Sequence, residues 1–385
     1  MLNNESKRKD TVTEKCQKTG RQANFELLRL VAMLFVVMLH YLSKGQILPD
    51  FSGKMPTGNQ YMAYLFESFA IVAVNAFLLV TGYFMIHAEF HCEKVLALIA
   101  QVLFYTVLVP IVLIACHVMP ISQFNLYSII NEIIPIQTEH YWFATYYIFL
   151  YLCSPFLNRG LHHMNQRQHQ YVIAFLLIAF SIMKSIVPVP LATDHKGYDL
   201  VWFICVYVIA AYIRLYGISF FNSMKRSVTA YIGLVFAIFL YSVGMGAFCF
   251  YTGKLTDQIG EALHYNHILN IMAAVSFFYI FYYMEIKGEK IKKVICSLSP
   301  YALGVYLLHE QIDVRYLWPV WCKVKETGET GWFIPHMIGT VIAIFLLGLC
   351  VDYFRSGIFS FFKKKVGHEK ISAILRKIDQ ELAEN

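Results

Sequence analysis

The stretch of sequence that decides the fold is residues 24–42, NFELLRLVAMLFVVMLHYL. It is mostly apolar, and a helix that crosses the hydrocarbon core of a bilayer needs about 20 such residues. Glu26 and Arg29 lie just inside its start, and no small-residue cleavage site follows it. We therefore interpret the stretch as a retained membrane-spanning helix and not as a secretory signal peptide.

The rest of the chain repeats this pattern. Of its 385 residues, 58% are hydrophobic and 15% are charged, and the mean hydropathy is +0.52. Soluble proteins average ~45–50% apolar and ~25% charged residues. The alternation at every second residue that marks a membrane β-barrel is missing. The sequence thus argues against a soluble domain and predicts an all-α integral membrane protein, a bundle of about ten transmembrane helices. The predicted spans are 24–42, 63–86, 95–119, 141–157, 171–190, 200–218, 228–251, 266–285, 294–312 and 333–354.

The distribution of positive charge predicts the orientation. With both termini in the cytoplasm, most of the 32 Lys and Arg residues fall on the inner side, and the outer connection 120–140 carries none. Cytoplasmic loops are enriched in Lys and Arg in this way. The net charge of +7 is then explained by attraction to anionic lipid headgroups. Each basic residue near such a surface contributes ~1 kcal/mol to membrane binding. The sequence shows no basic face with aromatic platforms, so we expect no nucleic-acid partner.

Three regions are expected along the chain. Residues 1–22 form a polar cytoplasmic tail that is predicted to be disordered, and 23–356 form the membrane domain. In the basic tail 357–385, apolar residues share one helical stripe, which predicts an amphipathic helix on the inner leaflet. The alternative for this stripe is a contact between two copies of the chain in a homodimer.

One group of residues could be read as a metal site, between the second and third spans. It comprises His87, Glu89, His91, Cys92 and Glu93. Metal sites usually draw ligands from more than one element, and histidine is common at membrane interfaces. We therefore predict no metal.

The first span carries two candidate functional residues. Arg29 and His40 are eleven positions apart, which on an α-helix is about three turns and ~16 Å of rise. Both side chains therefore lie on one face, Arg29 near the cytoplasm and His40 deep toward the outer side. Glu26, three residues before Arg29, can pair with it. The alternative is an arginine that extends to the interface and a histidine at the outer interface, without a shared role.

Other polar residues are predicted at the depth of His40. The ninth span runs outward and ends on His309 and Glu310. Two histidines and a carboxylate suffice for general acid–base chemistry, because His titrates near neutrality and a carboxylate can fix its tautomer. The candidate substrate-binding residues are Asn75, in the outer half of the second span, and His140 and Trp142, at the outer start of the fourth. For Trp142 the alternative is the ordinary aromatic belt of a membrane protein.

Three segments together resemble the acyltransferase 3 family of bacterial multipass membrane proteins. They are Asn24-Phe25-Glu26-Leu27-Leu28-Arg29 with His40 eleven residues after Arg29, Val74-Asn75-Ala76-Phe77-Leu78-Leu79-Val80-Thr81-Gly82-Tyr83, and Gly304-Val305-Tyr306-Leu307-Leu308-His309. The resemblance covers 22–355. Members of the family mostly acylate, and usually O-acetylate, extracytoplasmic glycans. The resemblance implies that His40 is catalytic, that Arg29 helps to bind an acyl-CoA donor from the cytoplasm, and that Lys94 is a further candidate for its phosphates.

These expectations combine into one function. The chain is expected to be an O-acyltransferase, with acetyl-CoA as the expected donor, in the bacterial plasma membrane. Its acceptor would be a cell-surface glycan or a lipid-linked glycan precursor. Direct attack by the acceptor and prior acylation of His40 are both compatible with these residues. The alternative function is a transporter of a lipid-linked glycan or small solute that uses the same polar cavity without covalent chemistry.

The predicted orientation can be tested with single cysteines on a background in which the nine native cysteines are replaced. We expect Lys54→Cys and Tyr127→Cys to react with a membrane-impermeant maleimide in intact cells, and Lys290→Cys to react only after permeabilisation. Labelling of Tyr127→Cys from the cytoplasmic side alone would contradict the orientation and reverse the expected direction of acyl flow.

Overall fold

The computed structural model describes residues 21–365 apart from 50, 52–53, 124, 188, 190 and 193, and in addition residues 375, 377, 379 and 380. Every regular element in this part of the chain is helical, so the all-α class is confirmed. The helices are α1 Ala23–Lys44, α2 Gly58–Ala70, α3 Ala73–Met85, α4 Cys92–Ala115, α5 Leu126–Ile133, α6 Trp142–His163, α7 Gln166–Leu177, α8 Leu200–Tyr216, α9 Met224–Thr252, α10 Ile268–Tyr282, α11 Glu289–Leu298, α12 Ala302–His309, α13 Leu317–Trp321, α14 Val324–Gly328 and α15 Phe333–Lys365. A π-helical turn, Ile178–Ile182, extends α7 to Met183–Ile186.

Among the described residues, seven segments are long and apolar enough to cross a membrane. They are α1, α2 with α3, α4, α7 with its extension, α9, α11 with α12, and α15. The helix α8 is apolar but shorter. Each of the ten predicted spans overlaps a helix, but the count of ten and the sides of the termini stay predictions. The predicted tail 1–22 lies outside the described residues except for 21 and 22. Most of the predicted tail 357–385 also lies outside them, and the first part of that tail, up to Lys365, continues α15.

The helix α1 lies at the centre of the bundle and packs against α2, α3, α10, α11, α12 and α15. Apolar side chains from successive turns, such as Leu28, Ala32 and Val37, are fully buried. The helices α9 and α15 instead expose large apolar side chains, among them Leu240 and Leu346. Exposed apolar surface of this extent is typical of helices that face lipid. The central position of α1 places the face with Arg29 and His40 inside the protein.

Glycines allow the helices around α1 to approach closely. A Cβ added at Gly82 of α3 would lie 2.7 Å from the Cβ of Ala210 in α8, and a Cβ at Gly304 of α12 would overlap the side chain of Asp352 in α15. A Cβ at Gly348 of α15 would lie 2.6 Å from the Cα of Val305. Small residues at helix contacts serve this purpose in membrane proteins, where lipid provides no hydrophobic force between helices. Two of these glycines, Gly82 and Gly304, belong to the segments quoted for the family resemblance.

The ninth predicted span is broken. The helix α11 ends at Leu298, the 3₁₀ turn Ser299–Tyr301 contains Pro300, and α12 continues to His309. Proline has no N–H to donate and clashes with the preceding turn, so it is favoured near a helix start, where Pro300 lies in this segment. The break places a polar turn beside the N-terminal part of α1, predicted to be the inner part, and brings His309 to the C-terminal part, predicted to be the outer part.

We expect Gly348→Ala to destabilise the protein by ~1–3 kcal/mol, because the added methyl group meets the backbone of α12. Thermal unfolding of the purified protein in detergent would measure this change. The matched control is Gly339→Ala in the same helix, where no atom lies within 4 Å of the added Cβ. Since alanine is the better helix former, the control should be neutral or stabilising. Equal stability of the two variants would contradict the close packing of α12 on α15.

Candidate active site

The structure brings His40, His309 and Glu310 together at the C-terminal end of α1, which is the end predicted to be outer. The Nδ1 of His40 lies 2.8 Å from the Nε2 of His309, and the Nδ1 of His309 lies 2.5 Å from the carbonyl oxygen of Val305. A carbonyl oxygen only accepts hydrogen bonds, so the Nδ1 of His309 carries a proton and its Nε2 is an acceptor. His40 then donates from Nδ1, which leaves its Nε2 unprotonated when the ring is neutral. His309 therefore fixes the tautomer that makes His40 a base at Nε2.

A carboxylate faces this basic nitrogen. The Oε2 of Glu310 lies 3.7 Å from the Nε2 of His40, and its Oε1 accepts a hydrogen bond from the Nζ of Lys44. Lys44 lies one helical turn beyond His40, so the two side chains share a face of α1. Glu310 is buried, at 6% exposure. A proton taken up at the Nε2 of His40 would thus meet a negative charge that Lys44 holds in place.

A cavity of about 610 Å³ runs along the face of α1 that carries Arg29 and His40. At the end predicted to be cytoplasmic it is lined by basic side chains, namely Arg21, Arg29, Lys94 and Arg355. Beside His40 it is lined by aromatic side chains, namely Trp142, Tyr265 and Tyr306. The wall between them is mostly apolar and includes Met33, Val36, Phe77, Leu98 and Ile148. The cavity therefore connects a cationic end with a histidine and is suited to a ligand that has an anionic part and an apolar part.

Arg29 is held at the inner end by α1 itself and by the broken span. Its Nη1 lies 2.6 Å from the Oε1 of Glu26, and the Oγ of Ser299 donates to the other oxygen of the same carboxylate. The guanidinium group has five N–H donors in a planar fork, and this pairing uses only part of them. The side chain of Arg29 is 28% exposed and lines the cavity. Arg29 can thus bind an anion while Glu26 fixes its position.

A second arginine at this end is held in the same way. Asp352 of α15 is fully buried and pairs with Arg355, whose Nε and Nη2 lie 2.7 and 3.0 Å from its two oxygens. The same carboxylate accepts hydrogen bonds from Gln101 at 2.9 Å and from the hydroxyl of Tyr105 at 3.0 Å. Gln101 and Arg355 both line the cavity. The fork geometry of Arg355 is therefore preorganised for an anion in the same manner as that of Arg29.

Asn75 does not face the cavity, contrary to the expectation from its depth. It is fully buried, and its amide nitrogen donates to the carbonyl of Tyr265 at 2.8 Å. Its amide oxygen accepts from the Nε1 of Trp202 at 3.0 Å. On α3 the neighbouring residues Val74 and Phe77 line the cavity instead. The rotation of α3 about its own axis thus directs Asn75 into a joint between helices, where its amide ties α3 to α8 and to the chain before α10.

His140 is likewise separate from the cavity. Its ring is fully buried, its Nδ1 lies 3.7 Å from the Oε2 of Glu132, and its Nε2 accepts from the backbone N–H of Ile312 at 3.5 Å. Burial lowers the pKa of His140 to about 4 and raises the pKa of Glu132 to about 8. Burial thus favours the uncharged form of both groups, which fits a structural role for His140 in the connection before α6. Its neighbour Trp142 does line the cavity.

Several polar residues of this region were not predicted from the sequence. Lys44 had a local signal, since it follows His40 by four residues. Asp352 and Arg355 are three positions apart in α15 and can pair, but only the packing of the helices shows that the pair reaches the cavity wall. Glu67, in the α2 half of the second span, is 6% exposed, and its Oε2 has no hydrogen-bond partner among the described residues. Its sequence signal was an acidic residue within an apolar block.

Comparison with known proteins bears on the chemistry of this cavity. No curated protein and no solved structure matches the chain. The family model described as an acyltransferase domain, acyltransferase 3, matches residues 22–355. This range includes the whole of the cavity apart from Arg21 and Phe359. The polytopic helical architecture agrees with a membrane acyltransferase, and we conclude that the chain belongs to the acyltransferase 3 family.

Proposed function

We propose that the protein transfers an acyl group, in the first place acetyl, from cytoplasmic acyl-CoA to a hydroxyl of an extracytoplasmic glycan or lipid-linked glycan precursor. The proposed location is the bacterial plasma membrane. The observation that carries the proposal is that Arg29, Lys94 and His40 line one and the same cavity, with the two cations at one end and His40 at the other. A histidine whose basic nitrogen is defined by its neighbours is suited to accept the proton of an attacking hydroxyl.

The donor is proposed to enter from the cationic end. Its phosphates would bind Arg29, Lys94 and Arg355, and arginine is well suited to this because its planar fork matches phosphate oxygens. The uncharged chain that carries the thioester would then lie along the mostly apolar wall toward His40. This direction follows from the orientation predicted by the charge pattern.

The reaction at His40 needs only the acyl-CoA donor, the acceptor hydroxyl and the side chains of His40 and Glu310. The Nε2 of His40 takes the proton of the acceptor hydroxyl as its oxygen attacks the thioester carbonyl. The new C–O ester bond forms, the C–S bond breaks, and the proton returns from His40 to the CoA thiolate. Glu310 stabilises the imidazolium in between, at 3.7 Å from the Nε2. In the covalent variant the same Nε2 attacks the thioester carbonyl, so that a C–N bond forms as the C–S bond breaks and CoA thiolate is released. The acceptor hydroxyl then attacks the acyl-imidazole, the C–O bond forms as the C–N bond breaks, and the hydroxyl proton passes to the thiolate.

We expect His40→Ala to reduce acyl transfer by ~10²–10⁴, the usual effect of removing a general base. The affinity for acyl-CoA should be retained, because the phosphates bind three turns away. His309→Gln should keep more activity than His309→Ala, since a glutamine oxygen can still accept from the Nδ1 of His40. Transfer from radiolabelled acetyl-CoA in membrane vesicles, together with mass spectrometry of surface glycans, would measure both effects.

The matched control for these variants is His195→Ala, an exposed histidine on the outer side. In His40→Ala cells the glycan should still reach the surface, but without acyl groups. Loss of the glycan itself from the surface would favour the transporter, and wild-type turnover in His40→Ala would contradict the proposed chemistry.

We expect Arg29→Ala to bind acyl-CoA much more weakly than wild type, and Arg29→Lys to recover only part of the affinity. An ammonium group carries the charge but cannot reproduce two parallel hydrogen bonds to a phosphate. Equilibrium binding of acetyl-CoA to the purified variants is the measurement, with Arg226→Lys, an exposed inner residue, as the control. Normal donor affinity in both Arg29 variants would remove Arg29 from the donor site.

A further inference from the structure

Three aromatic rings from distant parts of the chain meet at the outer end of the cavity. Trp142 is the first residue of α6, Tyr198 lies just before α8, and Tyr265 lies just before α10. The ring centroids of Trp142 and Tyr198 are 4.4 Å apart, those of Tyr198 and Tyr265 are 4.9 Å apart, and those of Trp142 and Tyr265 are 5.8 Å apart. The planes of Trp142 and Tyr265 are within 22° of parallel. We call these three residues the aromatic trio.

The aromatic trio has one side toward His40 and one side toward the exterior. Trp142 and Tyr265 line the same cavity as His40, and Tyr265 is only 6% exposed. Tyr198, by contrast, is 43% exposed and follows the outer connection between α7 and α8. Residues of an ordinary aromatic belt face lipid headgroups and need no contact with one another or with a cavity. The aromatic trio therefore forms part of the wall between the exterior and the cavity that His40 lines.

The segments that carry the two tyrosines are joined by a buried ion network. The Nζ of Lys184 lies 2.5 Å from Asp194 and 2.8 Å from Glu261. Asp194 belongs to the connection between α7 and α8, and Glu261 belongs to the connection between α9 and α10. Asn266 donates a further hydrogen bond to Asp194 at 3.0 Å. Lys184 is 4% exposed. Removing one member of such a network would leave a buried charge without its partner, so the network links the two connections to each other.

A tight turn at Gly197 fixes the position of Tyr198 relative to Tyr265. Gly197 has a φ of +82°, a conformation that favours glycine. A Cβ at this position would lie 2.8 Å from the Cβ of Tyr265 and 3.0 Å from the ring of Trp202. The backbone N–H of Tyr265 donates to the carbonyl of Lys196 at 3.2 Å. The rings are thus held by the backbone and the ion network, and a preorganised surface loses little entropy on binding.

We propose that the aromatic trio is the acceptor subsite and that it binds a sugar ring by stacking. The faces of aromatic rings are electron-rich, and the C–H bonds on one face of a pyranose provide the positive edge that such faces attract. Tyrosine and tryptophan offer large rigid contact areas at low cost in conformational entropy. A sugar ring stacked here would lie at the end of the cavity that His40 lines, where one of the sugar's hydroxyls can be acylated. The inference rests on the proposed function and adds the surface that selects the acceptor.

Binding of sugars to the purified full-length protein in nanodiscs tests the inference, with tryptophan fluorescence as the readout. The probes are maltotriose, chitotriose and mannotriose, and the acyclic polyol sorbitol is the probe without a ring. We expect saturable quenching by at least one trisaccharide and none by sorbitol. Tyr198→Ala should weaken that binding roughly tenfold, the size of one aromatic contact, whereas Tyr198→Phe should stay close to wild type.

The matched control is Tyr251→Ala, a tyrosine at the outer end of α9 that is 76% exposed. It should bind the sugars like wild type. The inference is overturned if no trisaccharide quenches saturably, or if Tyr198→Ala binds as well as wild type. Acetyl-CoA binding and transfer are measured on the same preparations. Their absence in wild type with sugar binding intact would reject the proposed function alone, whereas normal donor binding and transfer without a Tyr198 effect would reject the subsite alone.

Discussion

The hydrogen bond between the Nδ1 of His40 and the Nε2 of His309 is the interaction on which the rest of the site depends. In hydrocarbon a polar side chain must find its partner within the protein, since no water competes for it. The bond can form only if α12 approaches α1 closely at the outer end. That approach in turn depends on the break at Pro300 and on glycines where α12 packs against α15. Helix packing and the protonation pattern of His40 are therefore set by the same contacts.

A second polar tie joins the same two parts of the chain at the inner end. Ser299 and Arg29 share the carboxylate of Glu26, so the inner part of α1 is fixed to the turn that breaks the ninth span. Between the two ties lies the cavity, with a wall that is largely apolar. The polar groups of α1 are thus satisfied at its two ends, and the middle of the helix is left free to line a chamber.

The two ends of the cavity differ in how they are built. The inner end presents arginines that are each held by a buried or nearly buried carboxylate, Glu26 for Arg29 and Asp352 for Arg355. These pairs lower the cost of keeping a cation near the membrane interior and still leave donors for an anion. The outer end presents aromatic rings fixed by an ion network and a glycine turn. Cationic side chains at one end and aromatic rings at the other would suit two chemically different ligands.

The sequence by itself determined the helical class, the positions of the apolar spans, the shared face of Arg29 and His40, and the common depth of His40 and His309. These follow from hydropathy and from the rise and period of a helix, which are local properties of the chain. Only the tertiary structure decided that Asn75 turns away from the cavity, that Arg355 reaches it, and that Tyr198 and Tyr265 meet Trp142. Depth in a membrane is fixed by position along a helix. The rotation of each helix about its axis, and hence its neighbours, depends on side-chain packing between segments far apart in the chain.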